Sequence, residues 1–192
     1  MKEKILFLGY VNSPLIAWLE SYKYIVVSVS DKISFDYIQE NRFDYLISYG
    51  YRYIISKDII EYFDNKGINL HISFLPWNKG ADPNLWSFVD NTKKGVTIHY
   101  LDVSVDSGDI IVQKEVEFDM QKDTLSTSYN KLQQEVQSLF KENWELIRTH
   151  QCNRNKQVGE GSYHKSKDKK NINHLITNSW DTLVSHLVDK NK

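Results

Sequence analysis

The chain has 192 residues, enough for one domain with a sizeable core, and a formal net charge of −1. That balance excludes a global field drawing it to nucleic acid or to an acidic membrane surface, so neither is expected as a partner. One cysteine, Cys152, excludes an intramolecular disulfide and supplies no zinc-ligand set, so no metal is expected and a reducing cytoplasm is the simplest setting.

The apolar run behind Met1 meets Tyr10 and Asn12 too soon for a signal-peptide core, and no stretch has the length of a membrane span. Residues 5–8 form a short apolar run closed by Gly9, which reads as a buried first strand. Ser13-Pro14 opens a helix, with Ser as N-cap and Pro at the first position; Leu15, Trp18 and Leu19 make its apolar face. Residues 24–29 are β-branched and read as a second strand. Residues 33–39 read as a short helix with Phe35 and Ile38 inward. Residues 45–48 read as a third strand, 57–63 as a helix and 68–71 as a fourth strand. This alternation predicts an α/β fold with a Rossmann-like, mainly parallel twisted sheet and helices on both faces. The loop after the first strand reads Gly9-Tyr-Val-Asn-Ser-Pro14 and lacks Gly-x-Gly-x-x-Gly, which counts against an NAD enzyme.

Residues 83–89 open a further helix, in which Trp86 reads as core. Residues 95–101 and 110–118 are the clearest strands. Val96, Ile98 and Tyr100 alternate there with Thr97, His99 and Leu101, and His99 reads as a structural or exposed residue. The loop between them carries Asp102, Asp106 and Asp109. Asp109 is expected to hold the turn through backbone N–H groups. Residues 123–149 form the longest helical pattern, with Asp123 as N-cap and a core stripe running from Leu125 to Ile147. Past Cys152 the composition turns polar and basic. Residues 172–188 then read as an amphipathic helix burying Trp180, Leu183, Val184 and Leu187. This shift divides the chain into a 1–150 domain and a 151–192 C-terminal extension of basic loop plus helix.

Asn69 and His71 stand two apart at the end of the fourth strand, so both project from one face. Asp106 lies in a Gly-containing turn from which a carboxylate can reach back to them. An amide donor, an imidazole and a carboxylate suit acyl transfer. Trp77, in the loop past that strand, either stacks on a substrate ring or anchors the loop.

The stretch resembles the 10-formyltetrahydrofolate-dependent formyltransferase family in three places. These are Asn69-x-His71, Leu75-Pro76 followed by Lys79-Gly80 and Pro83, and Val105-Asp106-x-Gly108-Asp109-Ile110. Ile72, Asn78, Ala81, Asn84 and Trp86 are similar to the small amino-sugar N-formyltransferases within it. The resemblance implies the formyltransferase fold, 10-formyltetrahydrofolate as co-substrate, and Asn69, His71 and Asp106 as catalytic residues. In those roles Asn69 donates to the oxyanion, His71 moves the proton or stabilises charge, and Asp106 orients His71 or relays the proton. It also implies a folate pocket around Tyr49, Gly50, Ile54, Ile55 and Val103. Trp77, Asn78, Lys79, Gly80 and Pro83, joined by Tyr163, His164 and Lys167 from the extension, are implied around the acceptor. That acceptor is the primary amine of a nucleotide-linked amino sugar, and a homodimer is implied as the assembly. Three alternatives stay open: glycinamide ribonucleotide formylation, against which the missing Gly-rich loop counts; formylation of a carrier-bound aminoacyl group, against which a free-standing chain counts; and a folate-binding protein that kept the fold. Methionyl-tRNA as acceptor lacks the basic surface that phosphate binding needs.

Overall fold

A computed structural model describes residues 2–188. Its strands and helices are, in chain order, β1 (Lys4–Gly9), α1 (Pro14–Ser21), β2 (Ile25–Val29), α2 (Phe35–Asn41), β3 (Tyr45–Tyr49), α3 (Lys57–Phe63), β4 (Gly67–His71), β5 (Lys79–Gly80), α4 (Pro83–Val89), β6 (Gly95–Tyr100), β7 (Ile110–Glu115), α5 (Leu125–Arg148) and β8 (Tyr163–His164). Six strands form one sheet in the order β2-β1-β3-β4-β6-β7. The pairs up to β4 are parallel, and β6 and β7 join antiparallel. β5 and β8 make a small separate parallel pair.

Alternation along β1 shows why both faces are covered. Ile5 and Phe7 pack with Leu15 and Leu19 of α1 and with Leu132, Val136, Phe140 and Trp144 of α5. Leu6 and Leu8 point the other way, onto Ile38 of α2 and Ile59 and Phe63 of α3. Strands buried on both faces read as unbroken apolar runs, which is how β1 and β3 read in the sequence. Ser13 caps α1 as expected, accepting from Leu15 N, with Pro14 following. Connections reverse direction across β1 and β3, so the C-terminal ends of the parallel strands open a crevice there, where open α/β sheets bind ligands. Asn69 and His71 lie at that end of β4.

Three local expectations are corrected. The cap of α5 is Thr124, one residue past Asp123: Thr124 Oγ1 accepts from Thr127 N, and Thr127 Oγ1 accepts from Thr124 N. β7 stops at Glu115, short of 118. Residues 172–188 form no amphipathic α-helix. The chain makes 3-10 turns at Ser166–Leu175, Ser179–Asp181 and Val184–His186. Side chains and tertiary partners take the backbone away from a helix here. Thr182 Oγ1 accepts from Asn178 N, while Leu125 N donates to Thr182 O and Val184 N to Asp123 O. Val184 and Leu187 are buried, with Ile172, against Leu85, Phe88 and Leu125. Leu183 is half-buried and Trp180 is exposed. Among the described residues no helix is long and apolar enough to cross a membrane.

Candidate active site

β4 brings Asn69 and His71 to the crevice, and β6 lies antiparallel beside it with His99 opposite Asn69. The turn between β6 and β7 then returns Asp106 to the same point. Gly108 makes that return: a Cβ on it would stand 1.8 Å from Tyr100 O, so only a glycine lets the turn press against the end of β6. Asp106 Oδ1 accepts from Asn69 Nδ2 at 3.0 Å, and Oδ2 accepts from Gly80 N at 2.8 Å. His71 Nδ1 is 3.7 Å from Asp106 Oδ2, and His99 Nε2 is 3.5 Å from Asp106 Oδ1. The three residues expected from the sequence thus stand together, with His99 as an unexpected fourth.

Hydrogen-bond partners fix the protons. A carbonyl only accepts, so His71 Nε2 donates to Asn78 O at 3.1 Å and the Nδ1 lone pair faces Asp106. His99 Nδ1 likewise donates to Tyr100 O at 2.8 Å, leaving Nε2 to accept from Asn69 Nδ2 at 3.2 Å. Both N–H groups of Asn69 are therefore engaged, one by an imidazole and one by a carboxylate. Burial penalises the Asp106 carboxylate, but donors to its charged form, the Gly80 N–H among them, outweigh that and hold it well below the usual carboxylate range. For His71 burial wins over the nearby Asp106 and pushes the pKa down, so the ring is neutral beside an ionised carboxylate.

The other expected residues divide. Asn78 is fully buried. Its carbonyl holds His71, its Nδ2 donates to Thr92 Oγ1, and its backbone N donates to Ser162 Oγ; it supports the centre rather than lining it. Lys79 and Gly80 pair with Tyr163 and His164 through β5 and β8, so the extension is stitched beside Asp106. The His164 ring stacks on Trp86 at 3.9 Å, and its Nε2 is 2.7 Å from Asp90 Oδ2. These internal partners hold the ring within the fold beside the centre. Tyr163 and Lys167 are exposed. Pro83 lines a cavity next to the centre. Trp77 is half-buried, and its carbonyl accepts from Ser73 Oγ.

On the folate side, the Tyr49 ring belongs to the core, with its hydroxyl held by Gln133 and Gln137. Gly50 has φ +70°, and the Tyr10 ring lies 2.3 Å from where its Cβ would stand. Ile54 is 76 % exposed and Val103 54 %, while Ile55 packs inward against the α3 face. Asp102 accepts from Val103 N, and Asp109 pairs with Arg154 at 3.1 Å instead of holding its turn through backbone N–H groups.

Two residues of the centre escaped sequence reading. His99 looked like one member of an alternating strand, and only the β4–β6 register sets it against Asn69. Gln157 Nε2 donates to Asp106 O at 2.8 Å and to Gly108 O at 3.0 Å, stapling the turn from the extension. A lone glutamine in a polar loop carries no sequence signal.

Residues 11–143 match the family described as formyl transferase. The chain is similar to the formyltransferase PseJ from Anoxybacillus kamchatkensis, solved in complex with UDP-4,6-dideoxy-4-formamido-L-AltNAc and tetrahydrofolate. The TM-score is 0.94 at 50 % identity, covering 98 % of this chain and 100 % of that one. It is 31 % identical over 115 residues to the dTDP-4-amino-4,6-dideoxyglucose formyltransferase of Mycobacterium tuberculosis, 60 % of this chain and 49 % of that protein. It is 35 % identical over 98 residues to the bifunctional polymyxin resistance protein ArnA of Wigglesworthia glossinidia brevipalpis, 50 % of this chain and 15 % of that protein. The chain thus spans half or less of the length of these two curated relatives. With the family match running from the loop before α1 into α5 and through every residue of the centre but Gln157, the chain belongs to the formyl transferase family.

Proposed function

We propose that the chain transfers the formyl group of 10-formyltetrahydrofolate to the primary amine of a nucleotide-linked amino sugar. The observation that carries this is the buried cluster of Asn69, His71, His99 and Asp106 at the end of β4. The likeness to a protein solved with a formamido sugar nucleotide and tetrahydrofolate supports the acceptor class. Exposed Ile54 and Val103, on the loops after β3 and β6, suit the apolar face of a pterin. Bound folate supplies the formyl carbon.

The chain's own groups do the rest. Neutral His71 takes the proton that the amine sheds, on the Nδ1 lone pair, and would return it to the folate nitrogen that departs as its bond to the formyl carbon breaks. Asp106, ionised beside it, then stabilises the imidazolium and keeps the ring oriented. As Asp106 turns its charge to that ring, the Asn69 N–H it held becomes available to the formyl oxygen, where negative charge builds. His99 keeps the amide from rotating. Residues 1–150 carry this chemistry, and the 151–192 extension, whose last four residues lie outside the described ones, closes the acceptor side. The setting we propose is the cytoplasm, and the assembly a homodimer.

A turnover panel tests the reaction. The chain is mixed with 10-formyltetrahydrofolate and amino sugars linked to different nucleotides, with glycinamide ribonucleotide included, and products are weighed. Gain of one formyl group by a sugar nucleotide is expected. Formylation of glycinamide ribonucleotide alone would refute the acceptor. Folate binding without turnover of any amine would favour the binding-protein alternative.

A further inference from the structure

Arg154 lies in the extension, outside the buried centre, and touches each of the three pieces of chain that build it. Its Nε donates to Asp109 Oδ2 at 3.1 Å, at the exit of the turn that carries Asp106. Its guanidinium lies over the Tyr100 ring at the end of β6, 4.3 Å from the ring centre. Its Nη1 donates to Asn65 Oδ1, two residues ahead of β4. The next residue fastens the same place: Ile110 N donates to Asn155 O at 2.7 Å, and Asn155 N to Ile110 O at 3.0 Å. A planar guanidinium meets all three partners at once, with N–H groups at its edge and a flat face for the ring.

The turn needs such a hold. Asp106 has φ +52°, a left-handed conformation that a non-glycine residue keeps only where its surroundings over-determine it. Tyr100 O accepts from His99 Nδ1, so the end of β6 also fixes the ring that holds Asn69. The Arg154 side chain is 46 % exposed, and a lone ion pair so placed contributes little. Its weight lies in joining three elements that each supply part of the centre. We propose that Arg154 is a positioning residue for the transfer: it ties the Asp106 turn to the end of β6 and to the lead-in of β4, and so sets the approach of Asp106 to Asn69 and His71. This rests on the reaction proposed above. Gln157 grips the turn by its own carbonyls, whereas Arg154 fixes where the turn sits against the strands.

Hydrogen exchange followed by NMR reads the tie without substrates. In Arg154→Met, the Asn69 side-chain N–H held by Asp106 and the Gly80 N–H are expected to exchange at least about 10-fold faster, while the amides of β1 and β3 keep their rates. Steady-state kinetics read its effect on the reaction. For Arg154→Met, kcat is expected to fall about 10- to 100-fold with KM for the sugar nucleotide near its original value. Arg154→Lys, which keeps the charge but not the flat fork, is expected to recover only part of that loss. Adding Asp109→Ala to Arg154→Met should lower kcat no further, because the two side chains act through one contact. An unchanged kcat in Arg154→Met would overturn the positioning role, as would faster exchange spread evenly over the whole sheet, which marks a general stabiliser. Fast exchange confined to Asn69 and Gly80, with no formyl transfer by the unmutated chain, would overturn the reaction proposed above and leave the tie standing.

Discussion

Asn69 has both N–H groups engaged, by His99 Nε2 and Asp106 Oδ1. The amide proposed as the oxyanion donor is therefore part of a closed network, and on that proposal groups that hold the network matter as much as those that touch the reactants. Gln157 is the test of this. Gln157→Leu removes both donors that staple the Asp106 turn, so kcat should fall about 10- to 100-fold through misplacement. KM for the sugar nucleotide should stay close to its original value, and steady-state kinetics separate the two. A raised KM at unchanged kcat would move Gln157 into substrate binding. Charge gives a second prediction. Burial holds the His71 pKa below its ordinary value, so its contribution to stability is complete above about pH 6.5 and is lost as pH falls through the folded value. Asp106, also depressed, has the same sign but acts only in stronger acid. Melting temperature should thus fall less steeply between about pH 7 and 5 in His71→Gln than in the unmutated chain. Parallel pH slopes would contradict a buried neutral imidazole. At this scale the sequence displayed Asn69, His71 and Asp106 because strand period and a turn glycine mark them. His99 and Gln157 depend on strand register and on a loop 51 residues downstream of Asp106, which no local pattern encodes.

Elements whose own residues decide their shape were legible. β1, β3 and the caps of α1 follow from apolar runs and from Ser13-Pro14. The C-terminal strap, the run of 3-10 turns over residues 166–186, was not, because its apolar spacing imitates a helix while Asn178, Thr182 and the start of α5 offer the backbone better partners. The two conformations make opposite stability predictions. In the strap, Leu187 is fully buried and Trp180 half-open. Leu187→Ala should cost about 2–5 kcal/mol in urea unfolding, and Trp180→Ala no more than about 0.5 kcal/mol. Equal losses would mean that Trp180 is packed as in the amphipathic helix. The strap also explains why α4 is buried along its length. One side meets α5, and Ile172, Val184 and Leu187 cover another.

Over the whole molecule, the parallel half of the sheet provides the crevice and the antiparallel β6–β7 hairpin carries the carboxylate into it. Neither half holds the site alone: β4 contributes the amide and imidazole, and the turn after β6 contributes Asp106. The extension adds Gln157 behind the turn and, through β8, pairs with β5 beside Gly80, whose N–H holds the same carboxylate. Removing one member should therefore stop the chemistry while the fold survives. The most direct measurement uses 10-formyltetrahydrofolate labelled with carbon-13 at the formyl group, an amino-sugar nucleotide from the panel, and the unmutated chain beside Asp106→Asn. Label is expected in the sugar nucleotide with the unmutated chain, and in the variant at a rate lower by at least about 100-fold. Label that reaches the sugar nucleotide equally fast in both proteins, or that reaches no sugar nucleotide at all, would contradict formyl transfer at this centre.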